Sequence, residues 1–297
     1  MAGIGLAFAS TLYQNGAAKV YILGRRLNVL QEAIKTLEAS PSAPKNASKV
    51  LAAIACDVTD QKSVKEAVET VQQETGYVDV LINNAGVIGP NNNSSIYSAS
   101  TIEEIRDAML LGFDGNGWET AMKINTQAVV GVSAAFLPLL EAANTRRGWA
   151  PGKVEGDGNP RKQDSSALEK IGSSKGDDRM AHIITTTSVA SFMRYSTAGL
   201  AYNASKSAAA QLSKIMASFL APWGIRSNVI APGPYPSEMT QGRSPHFGTG
   251  QVPQGRMGSV NDIAGLLLFL VGKGGAYING TIQVTDGGRM GVFPGTY

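Results

Sequence analysis

The chain has 297 residues, 43% of them hydrophobic and 16% charged, so it can bury a sizeable core and does not have the composition of a disordered protein. Its net charge of +3 is small and its basic residues are scattered, which argues against a nucleic-acid-binding protein. One cysteine, Cys56, and two histidines exclude an internal disulfide framework and argue against a structural zinc site, so no metal is expected.

The first thirteen residues lack the basic start and the cleavage site of a secretory signal. No uninterrupted apolar run approaches the roughly 18 residues that a membrane span needs. The sequence therefore predicts a cytoplasmic protein that binds neither a membrane nor a nucleic acid.

Short apolar strands alternate with helices along the chain. In chain order the pattern predicts helix 5–14, strand 19–23, helix 27–39, strand 50–55, helix 63–74, strand 78–82, helix 103–111, helix 118–140, strand 181–187, helix 201–221, strand 225–230, helix 261–271 and strand 281–284. This rhythm indicates an α/β fold with a parallel, doubly wound sheet between two layers of helices.

Three segments fall outside that alternation. Residues 89–99 are rich in Asn and Ser and are predicted to form a loop, and residues 240–254 are polar with Gly and Pro, which suggests a mobile flap. Residues 145–179 contain almost no large apolar side chain. The strand pattern resumes directly after them, so we expect a low-complexity insertion in a single domain of residues 1–297 rather than a domain boundary.

Tyr202 and Lys206 stand four residues apart in a predicted helix and should share one face. A nearby cation favours the phenolate and lowers the pKa of a tyrosine. Proton transfer is most efficient when the pKa of the group lies near the working pH. Such pairs also occur by chance on solvated helices, so the pair gains meaning only from its surroundings.

Two polar residues provide those surroundings. Ser188 follows a strand and should deliver its hydroxyl to the carboxyl edge of the sheet, where ligands bind in open α/β folds. Asn125 lies inside a long helix, for which asparagine is a mediocre residue. Either its side chain points to solvent, or the side chain or a freed carbonyl holds a water molecule.

Over nearly its whole length the chain resembles the classical short-chain dehydrogenase/reductase family. The resemblance is carried by motifs in the expected order, namely Gly3-Ile4-Gly5, Asp57-Val58, Asn83-Asn84-Ala85-Gly86, Asn125, Ser188, Tyr202 with Lys206, Ala231-Pro232-Gly233 and Asp286-Gly287-Gly288. It implies a Rossmann-like, three-layer α/β/α fold and an oxidoreductase of class EC 1.1.1.- that interconverts a carbonyl and a secondary alcohol on a small organic substrate.

The resemblance also implies roles for single residues. Tyr202 would be the general acid and base, Lys206 would lower its pKa and hold the nicotinamide ribose, Ser188 would bind the substrate oxygen, and Asn125 would hold the water of a proton relay. Ser188 and Tyr202 stand one residue further apart than is usual. The implied cofactor-binding residues are Gly3, Ile4, Gly5, Arg25, Arg26, Asp57, Val58, Asn84, Ala85, Gly86, Lys123, Tyr202, Lys206, Pro232, Gly233 and Tyr235.

The residues after the predicted strand 19–23 bear on the choice of cofactor. NAD-binding folds place an acidic residue there to accept from the ribose 2′-hydroxyl. This chain has Gly24-Arg25-Arg26 and no acid nearby. Guanidinium groups can grip a 2′-phosphate, which favours NADP(H), although two arginines on a loop can also be merely solvated.

Members of the family open with a strand and a Thr-Gly-x-x-x-Gly-x-Gly turn, of which this chain has only the last part. Without that central strand, two rows of unpaired backbone groups should face each other. The chain would then be either a truncated gene product or a genuine short form that needs a strand from elsewhere. Restoring an upstream strand is predicted to raise the melting temperature by many degrees.

An alternative function stays open from the sequence. A non-catalytic relative retained for binding or assembly would explain the shortened glycine turn, whereas Asn125, Ser188, Tyr202 and Lys206 favour an enzyme. Among enzymes, a tailoring step on a polyketide or a similar metabolite is a further possibility. The resemblance implies a homodimer or homotetramer assembled through the helices that contain Asn125 and Tyr202.

Overall fold

The computed structural model describes residues 3–44, 49–154 and 160–295. The helices are α1 (Ile4–Gln14), α2 (Leu27–Glu38), α3 (Gln61–Glu74), α4 (Asn93–Ser98), α5 (Ile102–Leu110), α6 (Gly117–Met122), α7 (Ala128–Arg146), α8 (Ser165–Lys170), α9 (Leu200–Leu220) and α10 (Val260–Val271). The strands are β1 (Val20–Gly24), β2 (Leu51–Ala55), β3 (Val80–Asn83), β4 (His182–Thr186), β5 (Arg226–Pro232) and β6 (Ile282–Thr285).

All strand pairs are parallel, which confirms the predicted α/β class. The strands form a two-stranded sheet, β1-β2, and a four-stranded sheet, β3-β4-β5-β6. In the part of the chain that the structure describes, a break between β1 and β3 separates the two sheets. A cavity lined by both strands lies at this break.

Helices cover both faces of the sheets because neighbouring strand residues point in opposite directions. Ile184 packs with Phe8 of α1 and Leu267 of α10 on one face. Ile183 packs with Leu140 of α7 and with α9 on the other. Because helices cover both faces, β4 and β5 are buried along almost their whole length. The arrangement confirms the predicted three-layer α/β/α fold.

The longest helix runs from Gly117 to Arg146 through α6, a π-helical turn at Lys123–Gln127, and α7. By length and composition alone it could cross a membrane, with a mean hydropathy of 1.4 in its most apolar window. Half of that window is buried inside the protein, and Phe136 and Leu139 are among its core residues. Its apolar character is therefore accounted for by packing against the sheet.

The prediction of a loop at residues 89–99 is wrong in part, because α4 lies within it. Asparagine and serine have weak helix propensity, so tertiary contacts hold the segment. Asn92 is buried, donates to Ala108 O, and accepts from Leu200 N. The Tyr97 ring stacks on Tyr195 with 4.1 Å between ring centroids.

The predicted insertion at 145–179 is also more ordered than a bare surface loop, in the residues that the structure describes. It contains α8, whose Leu168 is fully buried. The Asp177 carboxylate is buried and forms ion pairs with Arg147 and Arg179 at 3.1 and 2.7 Å. The Trp149 indole donates to Arg179 O. Charged side chains fold inward here because they pair with one another, which a count of apolar residues does not detect.

The polar segment 240–254 is tied to the body of the protein at its far end. Val252 is completely buried, and Gln254 N donates to Gly287 O. The Phe247 amide donates to Gly255 O, which closes the segment into a loop. The part around Val252 is therefore anchored, contrary to a flap that is mobile throughout.

Candidate active site

The amino end of α1 meets the carboxyl end of β3. Gly3 is the N-cap with an extended backbone, the first turn of α1 contains no acidic residue, and no side chain caps it. A Cβ atom at Gly5 would lie 2.5 Å from the Asn84 side chain. The absence of a side chain at Gly5 thus lets the helix start approach Asn84, and its free amide groups form an anion-binding end.

Asn125 is fully buried in the π-helical turn. Its Oδ1 accepts from Val87 N at 2.8 Å, and its Nδ2 donates to Val87 O and to Ser205 Oγ at 2.8 and 2.9 Å. The side chain does not point to solvent, and both of its donor hydrogens are used within the protein. A relay water could therefore bind only to the second lone pair of Oδ1 or to the backbone of this widened turn.

Lys206 lies beside this asparagine, on α9. Its Nζ donates to Thr186 O at 2.9 Å, and burial lowers the pKa of the ammonium group to about 8. A Cβ atom at Gly86 would lie 3.1 Å from both the Lys206 Nζ and Asn125 Oδ1. The structure thus brings Gly86, Asn125 and Lys206 together although they are widely separated in sequence.

Tyr202 and Ser188 form the second half of the cluster. Ser188 begins a short 3-10 turn after β4, and its hydroxyl interacts with that of Tyr202. Burial raises the pKa of Tyr202, and the Ser188 hydroxyl offsets only part of the rise. The shift is opposite to the lowering expected from Lys206, because loss of hydration outweighs other effects on a buried phenol.

Arg25 and Arg26 follow β1 at the carboxyl edge of its sheet and are exposed. The charges of Arg25 and Lys123 both help to lower the pKa of Asp57, after the larger effect of its hydrogen bonds with Thr59. Arg25 and Lys123 therefore both lie near the Asp57 carboxylate. Arg26 instead reaches Glu238 and forms an ion pair at 2.9 Å.

The segment after β5 packs against the end of β6 and against α10. Gly233 N donates to Thr285 O, and a Cβ atom at Gly233 would lie 2.8 Å from the Asp286 backbone. This close approach explains why a glycine follows Pro232. Tyr235 is buried, packs in the core with α10, and binds Thr285 Oγ1 through its hydroxyl at 2.6 Å. Its side chain is thus engaged in packing and does not join the Tyr202 cluster.

The contacts of two site residues were not predicted from the sequence. Ser205 is fully buried, accepts from Asn125 and donates to Tyr202 O at 2.9 Å, so it joins the two halves of the cluster. Its position directly before Lys206 was the one feature of the sequence that could have indicated a place in the site. Glu238, the partner of Arg26, lies 212 residues away in sequence, so no local signal connects them.

Comparison with known proteins identifies the family. A sequence model described as short chain dehydrogenase matches residues 1–148, and one described as enoyl-(acyl carrier protein) reductase matches residues 169–289. The stretch between the two matches falls inside the predicted insertion.

Among curated proteins, short-chain dehydrogenase/reductase SAT3 of Stachybotrys chartarum is 33% identical over 300 residues, which cover 97% of this chain and 100% of that protein. Short-chain dehydrogenase/reductase PhomF of Diaporthe leptostromiformis is 34% identical, with 99% and 90% covered. The RhlG/NADP active-site complex of Pseudomonas aeruginosa superposes with a TM-score of 0.68 at 26% identity, with 97% and 92% covered. The chain therefore belongs to the short-chain dehydrogenase/reductase family of oxidoreductases, which use nicotinamide cofactors.

Proposed function

We propose that the protein is an NADP(H)-dependent oxidoreductase of class EC 1.1.1.- that interconverts a carbonyl group and a secondary alcohol on a small organic substrate. The observation that carries the proposal is the convergence of Asn125, Ser188, Tyr202 and Lys206 at the carboxyl edge of the β3–β6 sheet. Ser205 links the two halves of this set through hydrogen bonds.

Tyr202 acts as the proton donor when a carbonyl is reduced. Its raised pKa keeps the phenol protonated near neutral pH, which suits an acid better than a base. The Ser188 hydroxyl donates a hydrogen bond to the substrate oxygen, and the Lys206 ammonium stabilises the phenolate left on Tyr202. The backbone at Asn125 holds the water from which the proton is replaced. Reduction is thus the favoured direction.

The residues present fit a dinucleotide cofactor that carries a 2′-phosphate. The free amide groups at the start of α1 suit a pyrophosphate. Because Gly86 is a glycine, there is space beside Lys206 that a side chain would fill. Arg25 and Arg26 are exposed where a 2′-phosphate would be recognised, and the similar RhlG structure is a complex with NADP. When bound, this cofactor supplies the hydride.

The cofactor proposal is tested first by titrating the purified chain with NADPH and with NADH and following the reduced-nicotinamide fluorescence. We expect NADPH to bind in the micromolar range and NADH much more weakly. A folded chain that binds neither would support the alternative, a non-catalytic relative retained for binding or assembly.

Catalysis is tested with a Tyr202→Phe variant in NADPH-dependent reduction of a panel of ketones, including 3-oxoacyl thioesters and polycyclic aromatic ketones. Loss of the proton donor should lower kcat by about 100-fold or more while NADPH still binds. Tyr277→Phe is the matched control, because Tyr277 is fully exposed and should not affect kcat. Equal activity of the two variants would refute the role of Tyr202.

We further propose a cytoplasmic homodimer or homotetramer that uses α9. Ile215 and Phe219 near its carboxyl-terminal end, and Trp223 in the 3-10 turn that follows it, expose 46%, 55% and 42% of their surface. Neighbouring exposed apolar side chains are typical of a protein interface. Light scattering after size-exclusion chromatography should give an oligomer for the native chain and a monomer for Phe219→Glu.

A further inference from the structure

The hydroxyl group of Ser188 is oriented by the 3-10 turn that follows it, Val189–Ser191. Within this turn, Ser188 Oγ accepts from Ala190 N at 3.2 Å. Ser207 Oγ donates to Ser191 O at 2.8 Å, which ties the end of the turn to α9. The structure describes all residues between this turn and α9, and they belong to no helix or strand. Contacts made by these residues therefore determine whether the turn keeps its place.

Three aromatic rings meet beyond the turn. The ring of Tyr195 is stacked on that of Tyr97 in α4, with 4.1 Å between the ring centroids and 10° between the ring planes. The Tyr195 centroid also lies 5.5 Å from that of Phe293, with 42° between the two planes. Stacked and tilted pairs are the arrangements that aromatic rings prefer. We call Tyr97, Tyr195 and Phe293 the aromatic clasp.

Backbone hydrogen bonds accompany both ring contacts of the clasp. Ser196 N donates to Tyr97 Oη at 2.8 Å, directly beside the stacked pair. Arg194 N donates to Pro294 O at 2.7 Å, directly beside the tilted pair. The two sequence neighbours of Tyr195 therefore bind the same two segments that its ring contacts.

Phe293 is held in turn by Arg289. The Arg289 guanidinium carbon lies 4.3 Å from the centroid of the Phe293 ring, which is a cation–π contact. Arg289 Nη1 also donates to Gln251 O at 3.0 Å. The clasp is thus connected to the anchored part of segment 240–254 as well as to α4.

We propose that the aromatic clasp positions the Ser188 hydroxyl for catalysis. The clasp holds Tyr195, and the stretch from Ser191 to Tyr195 is too short for the turn to move independently of it. A misplacement of about 1 Å in a positioned group can lower a rate about 100-fold. Tyr97, Tyr195 and Phe293 are therefore positioning residues that act through Ser188. The inference rests on the proposed function.

The exposure of the clasp argues against a role in stability alone. The Tyr97 side chain is 47% exposed, and Tyr195 and Phe293 are half-buried. Rings that keep much of their surface in water contribute less hydrophobic free energy than rings in the core. We therefore expect the fold to survive the loss of one ring.

The first test measures NADPH-dependent reduction of the best ketone substrate by Phe293→Ala. We expect kcat to fall about tenfold or more, while KM and the Kd of NADPH stay within about twofold of the native values. Phe293→Tyr keeps the ring and should restore kcat to within about twofold of native. Tyr277→Ala removes a fully exposed ring elsewhere and should leave kcat unchanged.

A double-mutant cycle shows whether the clasp acts through Ser188. In a Ser188→Ala background, Phe293→Ala should lower kcat by less than about twofold, because the group that it positions is already absent. An equal loss in both backgrounds would mean that Phe293 acts through the general structure and would overturn the proposal.

Amide hydrogen exchange provides a readout that needs no activity. In Phe293→Ala, exchange at the Arg194 and Ser196 amides should be faster by about tenfold or more, while the amides of β4 keep their native protection. If Phe293→Ala does not fold, Tyr97→Phe replaces it. This variant removes only the acceptor of Ser196 N, and it should speed exchange at that amide and lower kcat by a smaller factor.

Two further results would overturn the proposal. Unchanged exchange at the Arg194 and Ser196 amides would show that the clasp does not hold this stretch. A raised KM with an unchanged kcat would show that the rings bind substrate directly. Failure of the proposed function is distinguishable, because the native chain itself would then reduce no ketone of the panel.

Discussion

At the residue scale, the chemistry of the site depends on groups that have lost their hydration. The pKa of Lys206 falls from 10.5 to about 8, and that of Tyr202 rises, both through burial. The proton on the phenol is retained and the charge on the ammonium is destabilised. Loss of hydration is thus the largest cause of both pKa shifts.

The depressed pKa of Lys206 predicts a pH dependence of stability. Between about pH 8 and 10.5 the unfolded chain binds more protons than the folded one at this residue, so its contribution to the free energy of unfolding rises with pH. The total change is on the order of 3 kcal/mol. The melting temperature of the native chain, relative to that of Lys206→Met, should rise from pH 8 to pH 10.

Lys214→Met is the control for that comparison. Lys214 lies exposed on the same helix, and its removal should leave a difference in melting temperature that does not vary over this pH range. If the difference in melting temperature between the native chain and Lys206→Met is also constant over this pH range, the Lys206 ammonium group is hydrated in the folded protein.

The ion pair between Arg26 and Glu238 predicts an effect on cofactor affinity. Both side chains are largely exposed, so the pair is worth about 0.2–1 kcal/mol. If Arg26 binds the 2′-phosphate, Glu238 competes for it. Glu238→Gln should then raise NADPH affinity up to about fivefold and leave NADH affinity unchanged, whereas Glu38→Gln should change neither. An equal effect on both cofactors would contradict this reading of Arg26.

At the scale of elements, the segment between α7 and β4 depends on one buried carboxylate. Asp177 accepts from Ser173 as well as from Arg147 and Arg179, and these contacts hold its pKa well below the usual range. Breaking a buried pair leaves uncompensated charge and costs about 3–5 kcal/mol. The segment is therefore a folded part of the protein.

We accordingly expect Asp177→Asn to lower the melting temperature by about 6 °C or more, since 1 kcal/mol corresponds to about 2–4 °C in a chain of this size. Asp178→Asn removes the same charge from the neighbouring exposed residue and should have little effect. Differential scanning fluorimetry of both variants is sufficient. Equal melting temperatures would mean that the segment is loosely attached.

At the scale of the whole molecule, the break between β1 and β3 should limit stability. A designed strand joined ahead of Met1 would pair with both facing edges and bury apolar side chains at high effective concentration. We expect the melting temperature to rise by at least 5 °C, and to rise less when a proline stands at the centre of that strand. An unchanged melting temperature would refute the view that the facing edges of β1 and β3 lack partners among the described residues.

Most of the fold was predictable from the spacing of apolar residues along the sequence. A helix or strand that packs against a core repeats its apolar residues at regular intervals. The motifs that carry the family resemblance likewise predicted the residues around Tyr202 and Lys206. Segment 89–99 was mispredicted because Asn92 and Tyr97 stabilise α4 through contacts made far away in sequence. The insertion was misjudged because its buried groups are ion pairs.

The sequence by itself determined the α/β class, the order of the elements, the family and the identity of the polar residues at the carboxyl edge. Only the tertiary structure decided that Asn125 is bound by Val87 and Ser205, that Arg26 meets Glu238, that Tyr235 lies in the core, and that burial raises the pKa of Tyr202. Periodicity and motifs act over a few residues. Hydration, pairing and burial depend on which distant segments come into contact, and those contacts form only when the chain folds.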